Sequence, residues 1–142
     1  MRLIKSAHSV YRTQYHILWI TRYRRRILDK GVAQYLRTKL LEVRKYYPEW
    51  EYITVGIGMD HVHLHMVIPP KYAVSTVVEV LKKNTSRELS KKFRFLKDFY
   101  WDGEGMWSTG FFVSTVGISE EMIQRYIRMQ EKEDTGQTKF GF

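Results

Sequence analysis

The sequence predicts an α+β domain of the ferredoxin-like kind: a β-α-β-β-α-β sandwich on an antiparallel sheet, with an added C-terminal helix. Three observations predict it. Short segments of alternating or apolar character lie between Gly, Pro and charged turn signals, as strands do. Two longer segments repeat their apolar residues at helical spacing. Together with a last helix-like segment, they follow in the order β-α-β-β-α-β-α.

The first strand is expected over Tyr11 to Thr21, with Tyr15, Ile17 and Trp19 on one face and His16, Leu18 and Ile20 on the other. A basic turn follows: Arg22, Arg24, Arg25 and Arg26. Val32, Leu36, Leu40, Val43 and Tyr47 then mark a helix that should stop before Pro48, where the backbone loses a donor. Glu51 to Ile57 reads as a second strand, ended by Gly56 and Gly58. Val62 to Ile68 reads as a third, stopped by Pro69-Pro70. On it Val62, Leu64, Met66 and Ile68 share one face, with His61, His63 and His65 on the other. Val74, Val77, Val78, Leu81 and Leu89 mark a second helix with a basic trailing end, Lys82, Lys83, Arg87, Lys91 and Lys92. A loop from about Asp98 to Gly110 precedes a fourth strand, Phe111 to Val116. Ser119 is a plausible N-cap for the last helix, because Glu120 and Glu121 follow in its first turn. That helix is expected to reach about Glu133, leaving 134–142 as a tail. One domain over 1–142, with its core at about 11–130, accommodates these elements. Both main helices should cover one sheet face and leave the other open to a ligand or partner.

Composition narrows the function. The 142 residues carry 24 Lys and Arg against 15 Asp and Glu, a formal charge of +9. Such an excess suggests a polyanionic partner, and nucleic acid is the commoner one. Apolar residues at 44% argue against wholesale disorder. The lack of cysteine excludes a disulfide scaffold, a Cys-ligated zinc finger, an iron–sulfur site and a thiol nucleophile. Met1 to Ser6 shows no signal-peptide core, and no apolar run approaches a membrane span. A cytoplasmic protein with no membrane partner is therefore expected.

Asp60-His61-Val62-His63 places two imidazoles on one strand face, about 7 Å apart at their Cα atoms. Two neutral imidazoles there can hold a divalent ion. A bare His-x-His equally describes two half-exposed polar residues, and His65 either joins the pair or packs deeper along the strand. No His-Glu-x-x-His and no Gly-x-x-x-x-Gly-Lys occurs, and Gly103-Glu104-Gly105 signals only a turn. On the last helix Tyr126 and Gln130 lie four apart and share a face. Tyrosine can act as a covalent nucleophile, but a phenol with a pKa near 10 needs help from a metal or base. The alternative is a packed tyrosine beside Met122 and Met129. Trp107 to Val113 supplies aromatics for stacking bases or for plugging the core edge.

Taken in order, these pieces resemble the single-tyrosine HUH transposases of the insertion-sequence-200-like group. Tyr15-His16 through Arg25 is similar to that family's first strand and basic turn. Asp60-His61-Val62-His63-Leu64, followed by Pro69-Pro70, is similar to its His-hydrophobic-His motif. Lys82 through Leu89 resembles its Lys-containing helix end, Trp107-Ser108 through Phe112 and Gly117 its fourth strand, and Tyr126-Ile127 with Gln130 its nucleophile helix. His65 departs from the pattern, standing where the family usually carries Leu.

The resemblance implies metal-dependent cleavage and rejoining of single-stranded DNA. Tyr126 would attack the scissile phosphate and keep it as a 5′-phosphotyrosine. His61, His63 and Gln130 would hold Mg²⁺ or Mn²⁺, and no ATP would be needed. The partner would be single-stranded DNA with hairpin ends, and the active form a homodimer in which the Tyr126 helix can be exchanged. Arg22, Arg24, Arg25, Arg26, Lys82, Lys83 and Arg87 are the candidate DNA contacts. Two alternatives stand beside this: a non-mobile tyrosine nuclease relative, and a non-catalytic module that binds single-stranded nucleic acid. A module of that kind would form no covalent adduct.

Overall fold

The computed structural model describes residues 3–5, 10–100 and 104–136. Six strands, three α-helices and three short 3₁₀ turns occur among them. Strands β1 (Ile4–Lys5) and β2 (Val10–Tyr11) form a small antiparallel hairpin. The main sheet contains β3 (Gln14–Ile20), β4 (Glu51–Ile57), β5 (His61–Val67) and β6 (Phe112–Ser114). Helices α1 (Lys30–Glu42), α2 (Val74–Lys92) and α3 (Glu120–Asp134) complete the order. The sheet runs β4-β5-β3-β6 with every pair antiparallel. Two interleaved β-α-β units give this order, which makes the chain ferredoxin-like as the periodicity predicts.

Alternation along β3 builds two cores. Ile17 and Trp19 point towards α1 and α2 and join Leu36, Leu40, Val62, Leu64, Val78, Leu81 and Leu89 in one fully buried cluster. Leu18 and Ile20 point the other way, and are equally buried, because Ile123, Tyr126 and Ile127 of α3 pack on them. The expectation of an open second face is therefore corrected: α3 covers its centre. Three apolar side chains within two turns of α3 leave it no better place to go. Fully burying one such side chain is worth about 1.5–3 kcal/mol.

Several boundaries move for physical reasons. The first strand of the sheet starts at Gln14 rather than Tyr11, since Tyr11 pairs with Ile4 in the hairpin. Helix α1 is capped by Asp29, whose carboxylate accepts from Val32 N at 3.0 Å. It ends at Glu42, not just before Pro48. The chain tightens into a 3₁₀ turn there, which still buries Val43 and stacks Tyr47 on Trp50 at 4.0 Å. Strand β6 is only three residues long, because its ladder to β3 covers Phe112 to Ser114 alone. Ser119 caps α3 as predicted, its hydroxyl accepting from Met122 N at 3.2 Å. From residue 137 onward the expected tail lies outside the described residues, as do Gly103 and Met1.

Candidate active site

Register assembles a row of histidines that no single strand contains. Strand β3 pairs with β5 so that His16 faces His65, Leu18 faces His63 and Ile20 faces His61. All four imidazoles therefore lie on the face opposite α1 and α2. His16 stacks on His65 at 4.0 Å between ring centroids and stands 5.7 Å from His63. His65 thus pairs with His16 and is held by Gln14, to whose Oε1 its Nε2 donates at 2.7 Å.

His61 is oriented from two sides. Its Nδ1 donates to Asp60 Oδ1 at 2.8 Å, which turns Nε2 outward. Asp60 is buried and also accepts from Arg24 Nε at 3.1 Å. The hydrogen bond from His61, and then the one from Arg24, hold the Asp60 carboxyl below the usual carboxylate range against the opposing effect of burial. On the other side lies Gly58. A Cβ at that position would come within 2.8 Å of His61 Nδ1 and 3.0 Å of Nε2, so only glycine leaves the ring this space.

His63 carries the strongest sign of a missing ligand. Its Nε2 is buried and has no hydrogen-bond partner. Burial, then the neighbouring His16 and His61, push its pKa down and keep the ring neutral, the form that binds metal. No group of three or more His, Asp or Glu among the described residues is arranged to hold a metal ion.

Tyr126 and Gln130 meet at Gly110. A Cβ on Gly110 would lie 3.7 Å from Gln130 Oε1 and 4.0 Å from the Tyr126 hydroxyl, and its φ of 93° suits glycine. Both side chains are buried. The Tyr126 ring rests against Phe112 of β6 at 5.9 Å, whereas His61 and His63 stand on β5, on the other side of β3. The Tyr126 hydroxyl has no partner, and burial, then Asp134 and Glu133, raise its pKa well above the ordinary phenol value. In this arrangement the phenol is protonated and stowed beside β6.

The basic residues divide by occupation. Arg26, Lys83 and Arg87 are exposed, with Arg87 reaching Asn84 Oδ1. Arg24 is engaged by Asp60 and by Glu131 at 3.5 Å. Arg22 donates to Gly105 O at 2.8 Å. Arg25 lies over the rings of Tyr23, Phe99 and Tyr100. Lys82 turns inward and donates to Ser108 O at 2.7 Å and Gly110 O at 2.8 Å, tying the segment before β6 to α2. Burial, then Arg22, push its pKa down to about 8. Trp107 is buried against Trp19 and donates to Thr85 Oγ1, so it belongs to the core edge.

Sequence reasoning missed Gly58, the contribution of His16 to the row, and Asp134. The last accepts from Ser108 Oγ at 2.7 Å and Tyr23 N at 3.0 Å, and so pins the end of α3. His16 was within reach, since alternation already placed it on the face of Leu18; only the register was hidden.

Comparison with known proteins finds transposases. A family model described as "Transposase IS200 like" matches residues 9–130. The ISDra2 transposase TnpA of Deinococcus radiodurans is 29% identical over 135 residues, covering 94% of this chain and 95% of that protein. A transposase for insertion sequence element IS200 from Salmonella typhimurium is 34% identical over 135 residues, covering 90% of this chain and 83% of its own length. A Deinococcus radiodurans crystal structure described as a transposase superposes with a TM-score of 0.78 at 29% identity, over 89% of this chain and 97% of that one. A REP-associated tyrosine transposase bound to a REP hairpin shares the fold, with a TM-score of 0.55 at 17% identity over 96% of this chain and 75% of that one.

Proposed function

The chain belongs to the IS200-like transposase family, and from that premise we propose that it cuts and rejoins single-stranded DNA with Tyr126 as the nucleophile. The observation that carries this reading is His63 Nε2: a buried, unpartnered imidazole nitrogen beside an oriented His61, on the sheet face that α3 crosses.

His61 and His63 would hold Mg²⁺ or Mn²⁺, with Gln130 as the third ligand. The nitrogen donors fit: one is orphaned and another is turned outward by Asp60; Gln130 sits with Tyr126 at Gly110, so its oxygen would join them only when α3 is repositioned. Two imidazoles favour Mn²⁺ in affinity, since Mg²⁺ prefers oxygen. When bound, the ion would neutralise charge on the scissile phosphate and align it for in-line attack. Tyr126 Oη bonds to phosphorus, the P–O3′ bond breaks, the phenol gives up its proton and the 3′ oxygen takes one. The energy of the phosphodiester is retained in the 5′-phosphotyrosine, so rejoining by another 3′-hydroxyl needs no ATP.

Attack requires a Tyr126 that is no longer stowed. A homodimer in which α3 reaches the partner's histidines would supply it; the packing of the Tyr126 hydroxyl beside Gly110 and of its ring on Phe112 of β6 supports that reading. Arg26, Lys83 and Arg87, being exposed, are the residues best placed to meet the phosphates of single-stranded DNA and its hairpin ends. Within this family a protein that had given up mobility would keep the same chemistry, and the surrounding DNA would distinguish the two.

The test uses a single-stranded oligonucleotide that carries the DNA flanking the gene. Wild type is expected to cleave it with Mn²⁺, and chelator or His63→Ala should stop cleavage without unfolding the protein. Cleavage that persists in chelator would remove the metal from the reading. Binding with no cleavage under any metal would favour the non-catalytic module.

A further inference from the structure

Away from Tyr126, the histidine row runs into a cavity that the reaction above does not use. It measures about 400 Å³ and is lined by Arg12, Gln14, His16, His65 and Thr115, among others. No acidic residue is among the described residues that line it.

Two polar atoms at this cavity have no partner. Arg12 Nε and His16 Nδ1 are both buried and unsatisfied. Buried polar atoms without partners are uncommon, and each calls for an explanation. With His63 Nε2 and the Tyr126 hydroxyl, they make four of the eight such atoms found among the described residues, all on or beside one face of one sheet. His65 is locked by Gln14 and stacked on His16, so the wall of the cavity is preorganised. Arg12 lines the cavity, and a guanidinium there brings the planar fork geometry that matches a phosphate.

We propose that this cavity is a second phosphate subsite for the DNA strand, in which Arg12 grips the phosphodiester next to the one held at His61 and His63. The geometry supports the assignment. His16 and His65 are one ladder step along from Leu18 and His63, and two residues of strand advance about 6.8 Å. The cavity exceeds a free phosphate in size and is continuous with the histidine row, as a strand laid along the sheet requires. The inference rests on the proposed cleavage of single-stranded DNA, and gives His65 a part in substrate binding where the family pattern has Leu.

The experiment measures fluorescence anisotropy of the full chain with a labelled oligothymidine in EDTA, across a range of salt. Arg12→Gln is expected to weaken binding about tenfold and to flatten the log–log salt slope by about 0.7, the loss of one single-strand phosphate contact. Arg12→Lys should restore the slope but only part of the affinity, since it keeps the charge and loses the fork. If Arg12→Gln fails to fold, His16→Leu takes its place and is expected to weaken binding about threefold. Variant binding within twofold of wild type, with an unchanged slope, would overturn the subsite and leave the cleavage reading standing. A wild-type chain that binds no single-stranded DNA at all would overturn both.

Discussion

A methyl group on residue 58 would occupy the space that the His61 ring fills. Gly58→Ala is expected to displace the imidazole and to lower Mn²⁺ affinity about 10- to 100-fold, the range seen when residues supporting a metal ligand are lost. Isothermal titration calorimetry reads this directly; unchanged affinity would mean that His61 is not a ligand. Asp60 makes a second residue-scale prediction. Its folded pKa lies below the unfolded value of 3.8, so its pairing with His61 and Arg24 stabilises the fold above that pH and is lost as pH falls through the folded value. The melting temperature of wild type should therefore fall below about pH 4, and Asp60→Asn should flatten that limb. Alternation alone made the His61/His63 pair legible in the sequence. Gly58 was not, because its role is steric room around a side chain three residues away, which no periodicity encodes.

Helix α3 was legible in its start, from Ser119, but not in its docking. Apolar spacing says that a helix has a buried face, not which sheet face receives it. The docking is completed at its far end, where Asp134 takes a hydrogen bond from Ser108 and another from the Tyr23 amide. Tyr23 and Arg24 adopt φ values of 61° and 55°, unusual for residues with side chains, and this turn presents the Tyr23 amide to α3. Asp134→Ala is expected to cost about 1–3 kcal/mol in urea unfolding, because it leaves the buried Ser108 hydroxyl and the Tyr23 amide unsatisfied. Amide exchange in α3 should quicken more than in α1. Equal protection in both helices would show that Asp134 does not hold α3 in place. The β1–β2 hairpin was invisible for a related reason: two residues per strand are too few to show alternation. Lys82 shows how packing can redirect a charge. A lysine on a basic helix end reads as a phosphate contact, yet its amine is taken up by two backbone carbonyls.

Across the whole molecule, the topology followed from the order of the segments, and the charge of +9 fits a polyanionic substrate. What the sequence could not display is that Tyr126 packs towards Phe112 and Gly110 while His61 and His63 stand on β5, beyond β3, an arrangement that depends on register and docking together. This arrangement makes a whole-molecule prediction. Neither His63→Ala nor Tyr126→Phe should cleave alone, but a mixture of the two should recover activity if Tyr126 serves the partner's histidines, and stay inactive if each subunit uses its own. The central claim, that Tyr126 is the nucleophile, is tested most directly on a 3′-labelled single-stranded oligonucleotide carrying the flanking DNA, incubated with Mn²⁺ and run on a denaturing gel. The account predicts a labelled band that travels with the protein, absent in Tyr126→Phe, and a phosphotyrosine peptide that maps to residue 126. An adduct that survives in Tyr126→Phe, or maps to another residue, would contradict it.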